Sequence, residues 1–306
     1  LDCVAAGNLA ELRLPFARKA FAHTAAYDSA IVAWFDRDAG PETDTLHLTL
    51  ERAADLRYGE NPHQRAALYR EEGIGGFWDH LKQHKGQALS YLNVFDTDAA
   101  WRLVHEFDRP ACVIVKHANP CGVAEQDDLE NAYRFAFECD PKSAFGGIVA
   151  LNRPVTAAVA GQIMANAKAD VLIAPGFEDA ALELLKSKRK AMRVLEAAVP
   201  GRDAHELRRV DGGYLLQERD VVRPPSADWR TVTVRQPTEA ELADMKLAWI
   251  VCAYTGSNAI VLAKGGVAWG IGAGQQSRVD SADIAARKAN GRAAGGACAS
   301  DAFYPF

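Results

Sequence analysis

A lysine and a histidine stand side by side at the end of an apolar run, Ala111-Cys112-Val113-Ile114-Val115-Lys116-His117. Lysine brings positive charge and imidazole exchanges a proton near neutral pH, so together they suit proton transfer coupled to charge stabilisation. The residues that follow, Asn119-Pro120 and Cys121-Gly122, carry turn chemistry. A strand ending there delivers both side chains to the carboxyl edge of a sheet, where open α/β folds bind their ligands. The same residues also describe a Lys and a His that merely mark where a strand leaves the core for solvent.

Two further segments gather groups able to hold a ligand. Arg57-Tyr58-Gly59-Glu60-Asn61-Pro62-His63-Gln64 sets a cation and a phenol on a turn forced by Gly and Pro. A guanidinium so held can clamp a phosphate bidentately; a solvated Arg on a surface turn fits nearly as well. Gly270-Ile271-Gly272-Ala273-Gly274-Gln275-Gln276-Ser277-Arg278 precedes a helical run and offers close backbone approach to a ligand, with Ser277 and Arg278 as donors. Glycines that only let a strand pack tightly on a helix explain it equally. The dinucleotide fingerprint needs a third glycine where Gln275 stands, which counts against a nicotinamide cofactor.

Other chemistries lack their residues. His80 and His84 lie four apart on a helical pattern, but the H-E-x-x-H arrangement and a third ligand are missing, so an exposed helical face is expected. No G-x-S-x-G elbow or P-loop occurs. The six cysteines, Cys3, Cys112, Cys121, Cys139, Cys252 and Cys298, form no CxxC pair, which argues against zinc or a redox site and for buried, inert thiols.

The elements that must position these groups follow from periodicity. From Arg13 to Trp34 apolar residues recur three and four apart, the mark of amphipathic helices. Asp36 to Thr45, with Gly40-Pro41 inside it, reads as a linker. Beyond it short strands alternate with helical stretches, which predicts α/β layers around a largely parallel, buried sheet. Ala111 to Val115, Val171 to Ala174 and Asn258 to Ala263 are strands, and Thr238 and Glu241 form a T-x-x-E capping box at a helix start. A chain of 306 residues exceeds most single cores, which stop growing near ~250 to 300 residues, so two packed lobes are expected.

A net charge of −5 argues against nucleic acid as a partner, and no apolar run approaches the ~20 residues that span a bilayer. No secretory signal is evident near Leu1, and a reducing cytoplasm is the expected home. The absence of an initiating Met and the aromatic ending Phe303-Tyr304-Pro305-Phe306 read as a piece of a longer protein, or as a chain that pairs with something to cover that end.

Leu56 to Gln64, the Lys116-His117 segment, Ser143-Ala144-Phe145-Gly146-Gly147, Ile173-Ala174-Pro175-Gly176, Ser257-Asn258-Ala259, Gly270 to Arg278 and Ser300-Asp301-Ala302-Phe303 resemble, in that order, the signature blocks of the bifunctional purine-biosynthesis family that joins AICAR transformylase to IMP cyclohydrolase. Arg18 to Asp28 resembles the end of that family's cyclohydrolase domain. The resemblance implies a cyclohydrolase remnant at residues 1–36, a linker at 37–45 and a transformylase domain at 46–306. That domain would be built of two cytidine-deaminase-like α/β/α lobes without the deaminase zinc. It would form a homodimer with shared active sites. The implied reaction is formyl transfer from 10-formyltetrahydrofolate to the 5-amino group of AICAR, giving FAICAR, which the full-length protein would cyclise to IMP.

By the same resemblance His117 is the general base and Lys116 assists the departing folate nitrogen. Arg57 and Tyr58 hold the nucleotide, and Gly146, Asp170 and Asn258 contact its imidazole side. Phe145, Ser277, Arg278 and Val279 line the folate, Phe303 and Pro305 close the pocket, and potassium is implied near Thr255, Ser257 and Asp301. Relatives continue for several dozen residues and complete the nucleotide site with an Arg and a His. The alternative is therefore a catalytically incomplete fragment that binds nucleotide or folate.

Overall fold

The computed structural model describes residues 9–37, 43–73, 75–201, 205–222 and 229–303. They divide into two compact units. The first takes its residues from 1–54, 68–75 and 202–220. Its α1, Leu9–Asp36, is a single helix of 28 residues with Pro15 inside it. The helical periodicity is therefore right in kind, but the apolar side chains Leu14, Phe16, Phe21, Trp34 and Phe35 are exposed. Strands β1, Leu50–Leu56, and β2, Ala66–Glu71, pair as a two-stranded sheet. Of the expected linker, residues 38–42 lie outside the described residues.

The second unit, 55–67, 76–201 and 221–306, contains every described residue of the candidate site. Its first lobe runs β3 (Lys82–Lys85), α2 (Tyr91–Val104), β4 (Ala111–Lys116), β5 (Asn119–Glu125), α3 (Leu129–Cys139), α4 (Pro141–Ala144), β6 (Ile148–Leu151), α5 (Ala157–Ala165), β7 (Val171–Ala174), α6 (Asp179–Ser187) and β8 (Arg193–Glu196). A hairpin of β9, His205–Val210, and β10, Gly213–Glu218, belongs to the first unit. The second lobe follows with α7 (Glu239–Ala253), β11 (Ile260–Ala263), β12 (Gly270–Gly272), α8 (Arg278–Ala289) and β13 (Ala297–Ser300).

The chain is α/β, but the large sheet is mixed rather than largely parallel. Its order is β3-β8-β7-β6-β4-β5, with parallel pairing only between β6 and β7 and between β7 and β8. The connections explain this. Helices α5 and α6 carry the chain back across the sheet between β6, β7 and β8, whereas two residues join β4 to β5 and permit only an antiparallel pair. Alternate residues feed opposite faces. Val113, Val115, Ile148, Val171 and Ile173 pack with Trp101 of α2 and with Leu247, Val251 and Val261 of the second lobe. Cys112, Ile114, Val149 and Leu172 pack with Tyr133, Ile163 and Leu185 of α3, α5 and α6. Each fully buried aliphatic side chain here contributes roughly 1.5 to 3 kcal/mol, which is why these strands read as unbroken apolar runs.

The second lobe is a three-stranded antiparallel sheet, β12-β11-β13, covered by α7 and α8. It continues from the edge of β5: Ala268 N–H donates to Val123 O at 2.9 Å and Glu125 N–H to Gly266 O at 2.9 Å. The capping box forms as expected, Thr238 Oγ accepting from Glu241 N–H at 3.2 Å and Glu241 accepting from Thr238 N–H at 2.8 Å. The strand expected from Asn258 begins at Ile260.

Two other expectations resolve in the fold. His80 ends a short 3-10 turn and His84 lies on β3, so no exposed helical face exists there; the His84 side chain is 9% exposed and its Nε2 is 2.7 Å from Glu196 Oε2. A four-residue spacing cannot tell a helix from a turn followed by an edge strand. Burial pushes the thiols of Cys121, Cys139 and Cys252 up to about 12 and Cys112 well above its ordinary value, while Cys298 is exposed and Cys3 lies outside the described residues. Among the described residues no helix is long and apolar enough to cross a membrane.

Candidate active site

Strand β4 is buried through Val115, and Lys116 is its last residue. Lys116 pairs with Asn119, so His117 and Ala118 alone make the turn into β5. Both have left-handed backbone, φ 52° and 56°, as a two-residue hairpin that matches strand twist requires. Neither is the Asn or Gly that usually occupies such a turn, and each left-handed side-chain residue costs roughly 1 to 2 kcal/mol. The turn expected at Asn119-Pro120 and Cys121-Gly122 is instead the start of β5. Pro120 is tolerated there because it sits at a bulge on the last strand of the large sheet.

The edge also differs from the expected one. Val115 is level with Ile148, Ile148 with Val171 and Val171 with Arg193. The carboxyl end of β4 therefore lies beside the amino ends of β6, β7 and β8, because β4 runs antiparallel to them. Residues just ahead of those strands meet the Lys116-His117 turn. Lys116 Nζ donates to Phe145 O at 2.8 Å. Gly146 has φ 70°, and a Cβ on it would lie 3.0 Å from Lys116 Nζ. Gly146 N–H donates to Lys168 O, and Asp170 N–H to Gly147 O at 2.9 Å, which brings Asp170 to the same edge.

Arg193, 4% exposed, lies under this edge and donates to Gln87 O at 3.1 Å and Ala88 O at 3.0 Å. Burial lowers its pKa, Asp170 opposes that, and Arg57 adds to it. Arg57 itself donates to Gln87 Oε1 at 2.7 Å, with its guanidinium 5.3 Å from the Tyr58 ring centre. Arg57, Arg193 and Asp170, the last paired with Lys168 at 3.1 Å, thus share one neighbourhood, suited to an anionic group with hydrogen-bonding edges.

Asn119 links the turn to the second lobe. Its amide donates to His117 O at 3.0 Å and its Oδ1 accepts from Gly256 N–H at 2.8 Å. Two residues on, Asn258 donates to Gln275 O at 2.8 Å and accepts from Arg278 Nη2 at 2.7 Å. Arg278 is 9% exposed; its Nη1 also donates to Ser300 Oγ at 3.1 Å and is paired with Asp301. Burial pushes Asp301 upward, but the Ser257 hydroxyl, the Ala259 N–H and Arg278 outweigh it and hold the carboxyl below its ordinary value. Thr255 Oγ1 donates to Val251 O at 2.7 Å. Of the residues expected near potassium, Ser257 is hydrogen-bonded to Asp301, whose negative charge Arg278 matches.

Lys116, His117, Phe145, Gly146, Asp170, Asn258 and Arg278 are therefore joined by a continuous set of contacts. Ser277 accepts from Asp280 N–H at 3.5 Å and caps α8. Val279 and Phe303 are exposed without a bond to that set, and Pro305 lies outside the described residues. Gly270 and Gly272 serve packing, since a Cβ on either would fall within 2.0 Å of a carbonyl of α8. Asp96, Asn119 and Arg193 belong to the site as well. Nothing in their sequence context announces a buried carboxylate, a bridging amide or a buried guanidinium.

A hairpin that presents a Lys-His pair beside an arginine-bearing edge of an α/β fold defines a candidate group-transfer site. A model of the AICARFT/IMPCHase bienzyme family matches residues 4–288, and the chain belongs to that family. Its role is in purine biosynthesis.

Proposed function

We propose that the chain transfers the formyl group of 10-formyltetrahydrofolate to the 5-amino group of AICAR, giving FAICAR. The observation that carries this reading is the Lys116-His117 hairpin tip, tied on one side to Phe145 and on the other, through Asn119, to the Gly256–Asn258 loop. The amine nitrogen attacks the formyl carbon and that C–N bond forms. His117 takes the amine proton, the bond to the folate nitrogen breaks, and Lys116 supplies the proton that this nitrogen needs on leaving. Arg57 and Tyr58 hold the phosphate end, and Gly146, Asp170 and Asn258 meet the imidazole and its carboxamide. Phe145, Ser277, Arg278 and Val279 lie along the folate, with Phe303 and Pro305 beside the nucleotide. Potassium near Thr255, Ser257 and Asp301 belongs to the same reading. It includes a cytoplasmic homodimer whose subunits share active sites, and a full-length protein that also closes FAICAR to IMP.

The test is release of tetrahydrofolate, followed by absorbance, from AICAR and 10-formyltetrahydrofolate. His117→Ala should reduce it by roughly 10²- to 10⁴-fold while AICAR affinity by calorimetry stays within a few fold, because a general base acts in the transition state. Undiminished release by that variant overturns the assignment.

A further inference from the structure

We propose that Asp96 is the positioning residue that fixes the Lys116-His117 turn in its working conformation; the catalytic part of this inference rests on the roles proposed above for that pair. Asp96 lies on α2, is 7% exposed, and has both carboxylate oxygens engaged by the turn. Oδ2 accepts the His117 N–H at 3.0 Å and Oδ1 accepts the Ala118 N–H at 2.8 Å. These two turn residues both have left-handed backbone, uncommon for any residue but glycine and carrying for Ala118 a Cβ penalty with no compensating side-chain bond. An unfavourable conformation persists only where its surroundings over-determine it, and it concentrates where geometry matters for chemistry. Both N–H groups point inward at one carboxylate, so a rotation of the turn would leave a nearly buried anion without its donors.

Other contacts do not replace this one. Asn119 takes the His117 carbonyl but neither N–H, and Lys116 is tied to Phe145 only through its side chain. The pairing of Lys116 with Asn119 calls for left-handed backbone at both positions, and the carboxylate is the side chain that takes both N–H groups of the turn and so holds the angles that aim the imidazole. Asp96→Asn keeps the size but can accept only one of the two N–H groups, since its amide nitrogen meets the other donor to donor.

Asp96→Asn should lower kcat by roughly 10- to 100-fold, with the KM for AICAR within about threefold, as expected when a base is displaced by about an ångström. Adding Ala118→Gly should restore at least about fivefold of that loss, because glycine adopts the turn without the Cβ penalty. An unchanged kcat in Asp96→Asn, or a loss that Ala118→Gly leaves untouched, overturns the proposal. Should Asp96→Asn not fold, Asp96→Glu, which keeps the charge but shifts the acceptors by a methylene, carries the same two comparisons. Amide hydrogen exchange gives a readout independent of turnover: exchange of the His117 and Ala118 N–H groups should quicken by about tenfold or more in Asp96→Asn, and unchanged exchange also overturns the proposal. Wild type and His117→Ala run alongside. If wild type fails to release tetrahydrofolate, the formyl-transfer reading falls while the exchange result still decides whether Asp96 holds the turn.

Discussion

Arg278 separates two uses of the same side chain. Its guanidinium either reaches a ligand or clamps the protein, and here Asp301, Ser300 and Asn258 take its donors. The Arg278 and Asp301 side chains are 8% and 20% exposed, so Arg278→Met leaves a largely buried carboxylate without its cation. Breaking such a pair costs roughly 3 to 5 kcal/mol. The Ala259 N–H remains with Asp301, at 2.9 Å, which places the expected loss near the lower end, about 3 kcal/mol. Urea unfolding followed by tryptophan fluorescence measures it, and a cycle with Asp301→Asn separates the pair from the rest. The double variant should be less destabilised than the two single losses summed, by about 2 kcal/mol, because neither charge is then stranded. The carboxyl is held below its ordinary value in the fold. This contribution is therefore full above the unfolded value and fades as pH falls through the lower folded one. Stability within about 0.5 kcal/mol of wild type, together with a tenfold rise in the folate KM, would refute the clamp and give the guanidinium to the ligand.

Gly146→Ala puts a side chain on a residue with φ 70° and a methyl 3.0 Å from Lys116 Nζ, so a loss of about 1 to 2 kcal/mol in urea unfolding and a fall in kcat larger than any change in AICAR KM are expected. Glu241→Gln keeps the reach of the capping side chain but removes its charge. Arg235 and the Thr238 N–H hold Glu241 down to about 2 from an ordinary 4.5, so the wild-type advantage in urea midpoint should be full above about pH 5 and shrink as pH falls from 4.5 toward 2; a difference that does not vary with pH contradicts the electrostatic account.

What could be read from the sequence depended on how local its cause was. The run Ala111 to Val115 announces a strand because both faces of that strand are buried, and Thr238 with Glu241 announces a helix start because a cap is made within four residues. Strand direction is not local in that sense. An apolar run looks the same in a parallel and an antiparallel neighbour, so the carboxyl end of β4 was expected at the wrong edge of the parallel strands. Asn119-Pro120 carries turn residues, yet the chain turns two residues earlier, at a His and an Ala rather than the Asn or Gly that such a turn usually takes. A carboxylate 21 residues before His117 accepts the N–H groups of both turn residues. The partner of Arg278 is equally hidden, since a basic residue after a glycine-rich strand looks free until Asp301, 23 residues later, is seen beside it. In both places a local rule is overruled at the candidate site by a buried charge brought from elsewhere in the chain. A site that needs backbone its own residues disfavour must import the group that holds it, and the element supplying that group is then as necessary to the chemistry as the residues that touch substrate.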